Sequence, residues 1–165
     1  MNMPIHPAPH GKLVAIGGAE DKELDTDILR RVLKFTAMPD PRVGVITTAS
    51  GIPDDVFAEY RKVFERLGAS EIMDIRIRER EDAADLAMIE MIEKSDVIFI
   101  SGGDQMRLTS IFGGSAALTA IRKRYEHGGV IAGTSAGAAC QSTTMVYGGA
   151  ATDSLRKGAV RMTAG

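Results

Sequence analysis

A serine set between two glycines, Gly133-Thr134-Ser135-Ala136-Gly137, is the sharpest chemical feature of this sequence. It follows the apolar run Val130-Ile131-Ala132 and opens a stretch of small residues, Ala136 to Ala139. Glycine two positions before and two after the serine suits a strand–turn–helix corner with no room for side chains on either side. Such a corner lifts the hydroxyl above the sheet, and the first amides and positive end of the following helix aim at the same spot. The chemistry this predicts is nucleophilic attack by Ser135, with the Ala136 amide donating to an oxyanion. The bland alternative is a structural turn.

A second small-residue loop, Ser101-Gly102-Gly103-Asp104-Gln105, follows the run Val97-Ile98-Phe99-Ile100. A glycine amide there, Gly103, completes a two-donor oxyanion hole. Asp104 reads either as a substrate contact or as a helix N-cap, and Gln105 either as a ligand contact in the pocket or as a solvated residue. Glu20 and Asp21, after Gly17-Gly18, read as substrate contacts or, more plainly, as capping carboxylates. A serine nucleophile needs a base, usually histidine held by a carboxylate. His6 and His10 lie near the amino terminus, and His127 precedes the strand that leads to Ser135. That places His127 at the wrong end of the sheet, so the elbow is present and its base is missing.

The elements that must position these loops follow from hydropathy. Leu13–Ile16, Val43–Ile46, Val97–Ile100 and Val130–Ala132 are short continuous apolar runs closed by Gly, Ser or Thr, which predicts strands buried on both faces. Glu71 to Ile77 alternates and predicts an edge strand. Val56, Tyr60, Val63, Phe64 and Leu67 form one stripe of a helix over 54–67, with Pro53 in its first turn and Gly68 as its stop. Further helices are predicted over 24–35, 82–93 and 116–125. Strands alternating with amphipathic helices imply βαβ units and a parallel sheet, whose ligands bind at the carboxyl ends of the strands. Residues 1–10 read as a loose tail and 11–165 as a single α/β domain. Residues 161–165 offer no closing helix or strand.

Composition narrows the classes. Of 165 residues, 44% are apolar and 25% charged, as in a soluble globular chain, which excludes long disorder, coiled coil and collagen. Lys plus Arg total 20 and Asp plus Glu 22, a net charge of −2, so there is no electrostatic footprint for nucleic acid or an anionic membrane. One cysteine, Cys140, excludes an internal disulfide and a cysteine zinc site, and reads as a small packed hydrophobe. No segment is apolar enough to span a membrane, and a cytoplasmic location is expected. Gly-x-Gly-x-x-Gly is absent after the first strand, which argues against a dinucleotide site. No cofactor and no metal are expected.

Taken together, Ile16-Gly17-Gly18-Ala19-Glu20-Asp21, Thr47-Thr48-Ala49-Ser50, Ser101-Gly102-Gly103-Asp104-Gln105 and Gly133-Thr134-Ser135-Ala136-Gly137-Ala138-Ala139 resemble the amino-terminal portion of the cyanophycinase family, serine exopeptidases of the dipeptidase E type. The resemblance implies a flavodoxin-like α/β fold related to class I glutamine amidotransferases, with helices on both faces of a parallel sheet. It implies hydrolysis of cyanophycin to β-Asp-Arg dipeptides, or of other β-aspartyl peptides, with Ser135 as nucleophile. Gly103 and Ala136 would supply the oxyanion amides, and Asp104 and Gln105 would bind substrate. Family members are longer, and their catalytic His and acid follow the stretch matched here. A partial, inactive polypeptide is therefore expected. Serine at the elbow argues against glutamine amidotransfer. The rival readings are an aspartyl dipeptidase of the same family and a non-catalytic small-ligand-binding module. A homodimer is left open.

Overall fold

The four apolar runs and the alternating segment form one sheet: β1 (Lys12–Ile16), β2 (Arg42–Ile46), β3 (Glu71–Asp74), β4 (Val97–Ile100) and β5 (Val130–Thr134). These come from a computed structural model that describes residues 11–148 and 161–164. The expected tail, 1–10, lies outside the described residues. Every pairing in the sheet is parallel, in the order β1-β5-β4-β2-β3. Counted from β2, this is the flavodoxin-like order, with β1 added beyond β5.

Alternation along the strands splits the core in two. Val43, Val45, Val97, Phe99, Val130 and Ala132 face helices α1 (Asp27–Lys34) and α2 (Pro53–Arg66). Ile46, Ile98, Ile100 and Ile131 face α3 (Leu86–Lys94), α4 (Gln105–Phe112) and α5 (Ala116–Glu126). Both faces of the central strands are thus dry, which is why β2, β4 and β5 read as unbroken apolar runs. The short α6 (Ala136–Ala139) follows β5. No helix among the described residues is long and apolar enough to cross a membrane.

Several expectations are corrected. β1 is not buried on both faces: only β5 pairs with it among the described residues, and Leu13 is 53% exposed. The helix expected from Leu24 begins at Asp27, because the Asp21 carboxylate accepts from the amides of Glu23, Leu24 and Asp25 and holds them in a loop. The helix expected over 82–93 is broken at Asp85. That residue is extended (φ −67°, ψ 126°) and caps α3 by accepting from the Ala87 amide, leaving Asp82–Ala84 as a 3-10 turn. Helix α4 was not among the expected helices. The end of the chain does hold a strand: β7 (Arg161–Ala164) pairs antiparallel with β6 (Thr144–Gly148) in a separate ribbon.

One polar tie crosses the amino end of the sheet. Asp96, just before β4, accepts from the Arg42 amide at 2.9 Å and from its guanidinium at 3.0 and 3.1 Å. Burial by itself pushes the Asp96 carboxyl up, but the Arg42 hydrogen bonds and the nearby Arg124 charge outweigh it and hold the pKa below the usual value. A carboxyl depressed in the folded state stabilises it above the unfolded pKa and loses that contribution as pH falls through the folded one. Asp96→Asn is therefore expected to lower stability at neutral pH, with a gap that closes below about pH 4. Urea unfolding of both proteins across that range checks it; a gap independent of pH would overturn the assignment.

Candidate active site

Ser135 directly follows β5 with φ 51° and ψ −110°, a left-handed conformation that side-chain-bearing residues rarely adopt. The cause is crowding at the corner. A Cβ on Gly133 would overlap the Gly137 carbonyl, and a Cβ on Gly137 would overlap the Ile100 carbonyl of β4. Chain and helix can pass this close only without side chains, so the turn is forced and the serine is thrust outward. Its amide donates to the Ile16 carbonyl at 2.9 Å, continuing the β1 pairing. Its carbonyl accepts from the Ala138 and Ala139 amides, which starts α6.

The side chain of Ser135 is exposed and flanked by two other strand-end loops. A Cβ on Gly102 would sit 3.2 Å from the Ser135 Cβ, and one on Gly18 3.3 Å from it. Three loops, after β1, β4 and β5, therefore meet at one oxygen on the carboxyl rim of the sheet. The fourth, Thr47–Ser50 after β2, buttresses from behind. The Ala49 carbonyl accepts from the Asp104 amide at 2.9 Å and presses so close to Gly103 (φ 139°) that a Cβ there would overlap it.

The residues singled out from sequence separate as follows. Gly103 and Gln105 lie in the loop adjoining Ser135 and at the start of α4, on the same rim. Ala136 is the first residue of α6, so its amide has no intrahelical acceptor. Asp104 accepts from the amides of Met106 (2.8 Å) and Arg107 (3.2 Å) through Oδ1, the helix-cap alternative made real. His127 caps the end of α5, before the first residue of β5, so β5 separates it from Ser135. His6 and His10 lie outside the described residues. Cys140 packs against the α4–α5 side of the core; burial pushes its thiol up to about 11, which disfavours the thiolate at neutral pH.

Sequence reasoning named Glu20 as a substrate contact or a capping carboxylate and missed what the structure shows: it caps no helix but is buried beside the serine on two side-chain hydroxyls. A cavity of about 200 Å³ beside Ser135 is lined by Gly18, Glu20, Lys22, Glu59, Tyr60 and Thr134, among others. Glu20 is only 7% exposed. It accepts from the Tyr60 hydroxyl and, at 2.5 Å, from that of Thr134. Burial first, then the hydrogen bond to Glu20, raises the Tyr60 phenol far above its usual range. Lys22 stands 5.0 Å from the centre of the Tyr60 ring and 3.7 Å from Glu59 at the cavity mouth. Tyr60 was visible as one member of a helical stripe; the overlooked signal is that a buried phenol needs a polar partner. A larger cavity of about 320 Å³ lies between the sheet and α4 and α5 but does not reach Ser135.

The chain is similar to cyanophycinase from Geminocystis herdmanii, 34% identical over 154 residues, which are 93% of this chain and 57% of that protein. It is also similar to cyanophycinase from Trichormus variabilis, 32% identical over 93% of this chain and 52% of the other. The chain thus spans about half the length of the curated relatives it matches. Among solved structures, a peptidase from an acI-B1 Actinobacterium superposes with a TM-score of 0.70 at 21% identity, over 84% of this chain and 59% of that one. A candidate peptidase E protein from Listeria monocytogenes EGD-e gives 0.59 at 22%, over 81% and 63%. These two support the fold alone. Peptidase family S51 matches residues 13–159, and the chain belongs to that family.

Proposed function

We propose that this chain carries the nucleophile of a serine exopeptidase acting on β-aspartyl peptides, with cyanophycin, cleaved to β-Asp-Arg dipeptides, as its substrate. The observation that carries the reading is Ser135 itself, exposed, held at positive φ and flanked by Gly18 and Gly102. In this reading the Ser135 hydroxyl attacks the amide carbonyl. The amides of Gly103 and Ala136 take the oxyanion, the amine departs with a proton, and water releases the acyl-enzyme. Gln105 binds the aspartyl unit, and Asp104, with Oδ1 committed to its cap, offers Oδ2 to substrate. Similarity to the two cyanophycinases supports the choice of polymer.

Among the described residues no imidazole stands at the Ser135 end of the sheet. Where no triad base reaches the serine, only catalysis by the oxyanion hole and binding remains. The 165-residue chain is expected to degrade cyanophycin at least ~10³-fold more slowly than a serine peptidase with a full triad. Dipeptide release from the polymer measures this, and rapid turnover that vanishes in Ser135→Ala would show that a base is present after all.

A fluorophosphonate probe tests the nucleophile. Slow formation of one adduct, mapped by mass spectrometry to the peptide holding Ser135 and absent in Ser135→Ala, is the expected result. No adduct at Ser135 would favour a binding module. Calorimetric titration separates substrates: β-Asp-Arg is expected to bind more tightly than its α-linked isomer, and the reverse order points to an aspartyl dipeptidase.

A further inference from the structure

We propose that Glu20 is a positioning residue for Ser135: its buried carboxylate, gripped by the hydroxyls of Tyr60 and Thr134, locks the loop after β1 to the end of β5 and so fixes the serine's presentation. The inference rests on Ser135 being the nucleophile.

A buried carboxylate is costly unless its oxygens are hydrogen-bonded, and a packed hydrocarbon in its place is often neutral or better for stability. Glu20 has a hydroxyl on each oxygen. Those hydroxyls come from different elements, Tyr60 from α2 and Thr134 from the last position of β5, directly before Ser135. On its own side Glu20 follows Gly18 (φ 103°) and Ala19 (φ 54°), two successive left-handed residues. A loop bent that way persists only where its surroundings hold it. It is also the loop whose Gly18 lies against the Ser135 side chain. The carboxylate therefore sits where one clamp fixes the strained loop, the strand end and the helix at once. The other charged groups lining the cavity, Lys22 and Glu59, pair with each other at its mouth and do not compete for Glu20.

Glutamine in place of Glu20 keeps an acceptor and gains a donor, and both hydroxyls can turn to suit it. Glu20→Gln is therefore expected to keep fluorophosphonate labelling of Ser135 within about threefold of wild type, while Glu20→Ala loses about tenfold or more. Thr134→Val should lose a comparable amount. The Glu20→Ala/Thr134→Val double variant should then fall no more than about twofold below Glu20→Ala, since partners in one link are not additive. All variants are compared where circular dichroism shows them folded. Losses that multiply in the double variant, or Glu20→Ala labelling at the wild-type rate, overturn the proposal. So does Glu20→Gln failing as badly as Glu20→Ala, which would assign the effect to charge.

A second readout does not depend on reactivity. Exchange of the Ser135 amide hydrogen, bound to the Ile16 carbonyl, should speed up about tenfold or more in Glu20→Ala and stay put in Glu20→Gln. If wild type takes no label, the nucleophile reading fails while this exchange still decides the role of Glu20. If Glu20→Ala does not fold, Thr134→Val carries the test: faster exchange supports the clamp, unchanged exchange sinks it.

Discussion

Gly137→Ala is expected to cost about 3 kcal/mol or more of stability and to abolish labelling of Ser135. The added methyl would land on the main-chain carbonyl of Ile100, with the Ile100 Cβ at 3.0 Å behind it. Neither can step aside. Ile100 is paired within the sheet, opposite Gly133, and Gly133 in turn is pressed against the Gly137 carbonyl. That carbonyl also accepts from Gln141 Nε2 at 3.1 Å. Relief requires α6 to lift off the strand ends, which opens the corner that holds the serine out. Gly51→Ala is the control: its methyl meets nothing within 4 Å, and stability should stay within about 0.5 kcal/mol of wild type. Urea unfolding and probe labelling read both effects. A Gly137→Ala protein as stable and as reactive as wild type would mean the corner is not tight, and the elbow argument would go with it.

Phe99→Ala is expected to destabilise by about 3–5 kcal/mol, a large share of the roughly 5–15 kcal/mol that holds a domain folded. Phe99 is fully buried in β4. Its ring lies 4.6 Å from that of Tyr60 and edge-on at 5.4 Å from that of Phe64. Removing it leaves a hole beneath Tyr60, and Tyr60 is one of the two groups holding Glu20 under the serine. The loss should therefore reach the site, lowering Ser135 labelling in protein that is still folded. Ile98 offers the comparison, since it is equally buried but points to the α3–α5 side. Ile98→Ala should cost about 2–5 kcal/mol yet leave labelling near wild type. Equal effects on labelling from both faces would show that the site responds to stability in general rather than to Tyr60.

The sequence displayed the sheet well because β2, β4 and β5 are dry on both sides and carry no polar interruption. It misrepresented β1, where the same apolar run sits at the edge of the sheet that the described residues form: Leu13 and Val14 are as apolar as any central pair, and only pairing partners tell them apart. The elbow was legible because its glycines answer to backbone crowding, a local constraint. The helix start at Asp27 and the break at Asp85 were hidden, because each depends on one carboxylate choosing backbone amides over solvent. The same holds for α4, announced only by the Asp104 cap. Glu20 was the hardest to see. Its partners stand 40 and 114 residues away, and no local pattern reports a meeting of that range.

The dihedral angles at Ser135 carry an implication for the history of such chains. Holding a non-glycine residue at φ 51° costs on the order of 1–3 kcal/mol, and glycine would relieve most of it. Pressure for thermal robustness alone would thus favour glycine over serine there. A copy released from hydrolysis would be expected to drift toward glycine there and emerge sturdier. Serine held at that corner is thus a residue the fold would be steadier without, which is what a group kept for chemistry rather than for packing would look like.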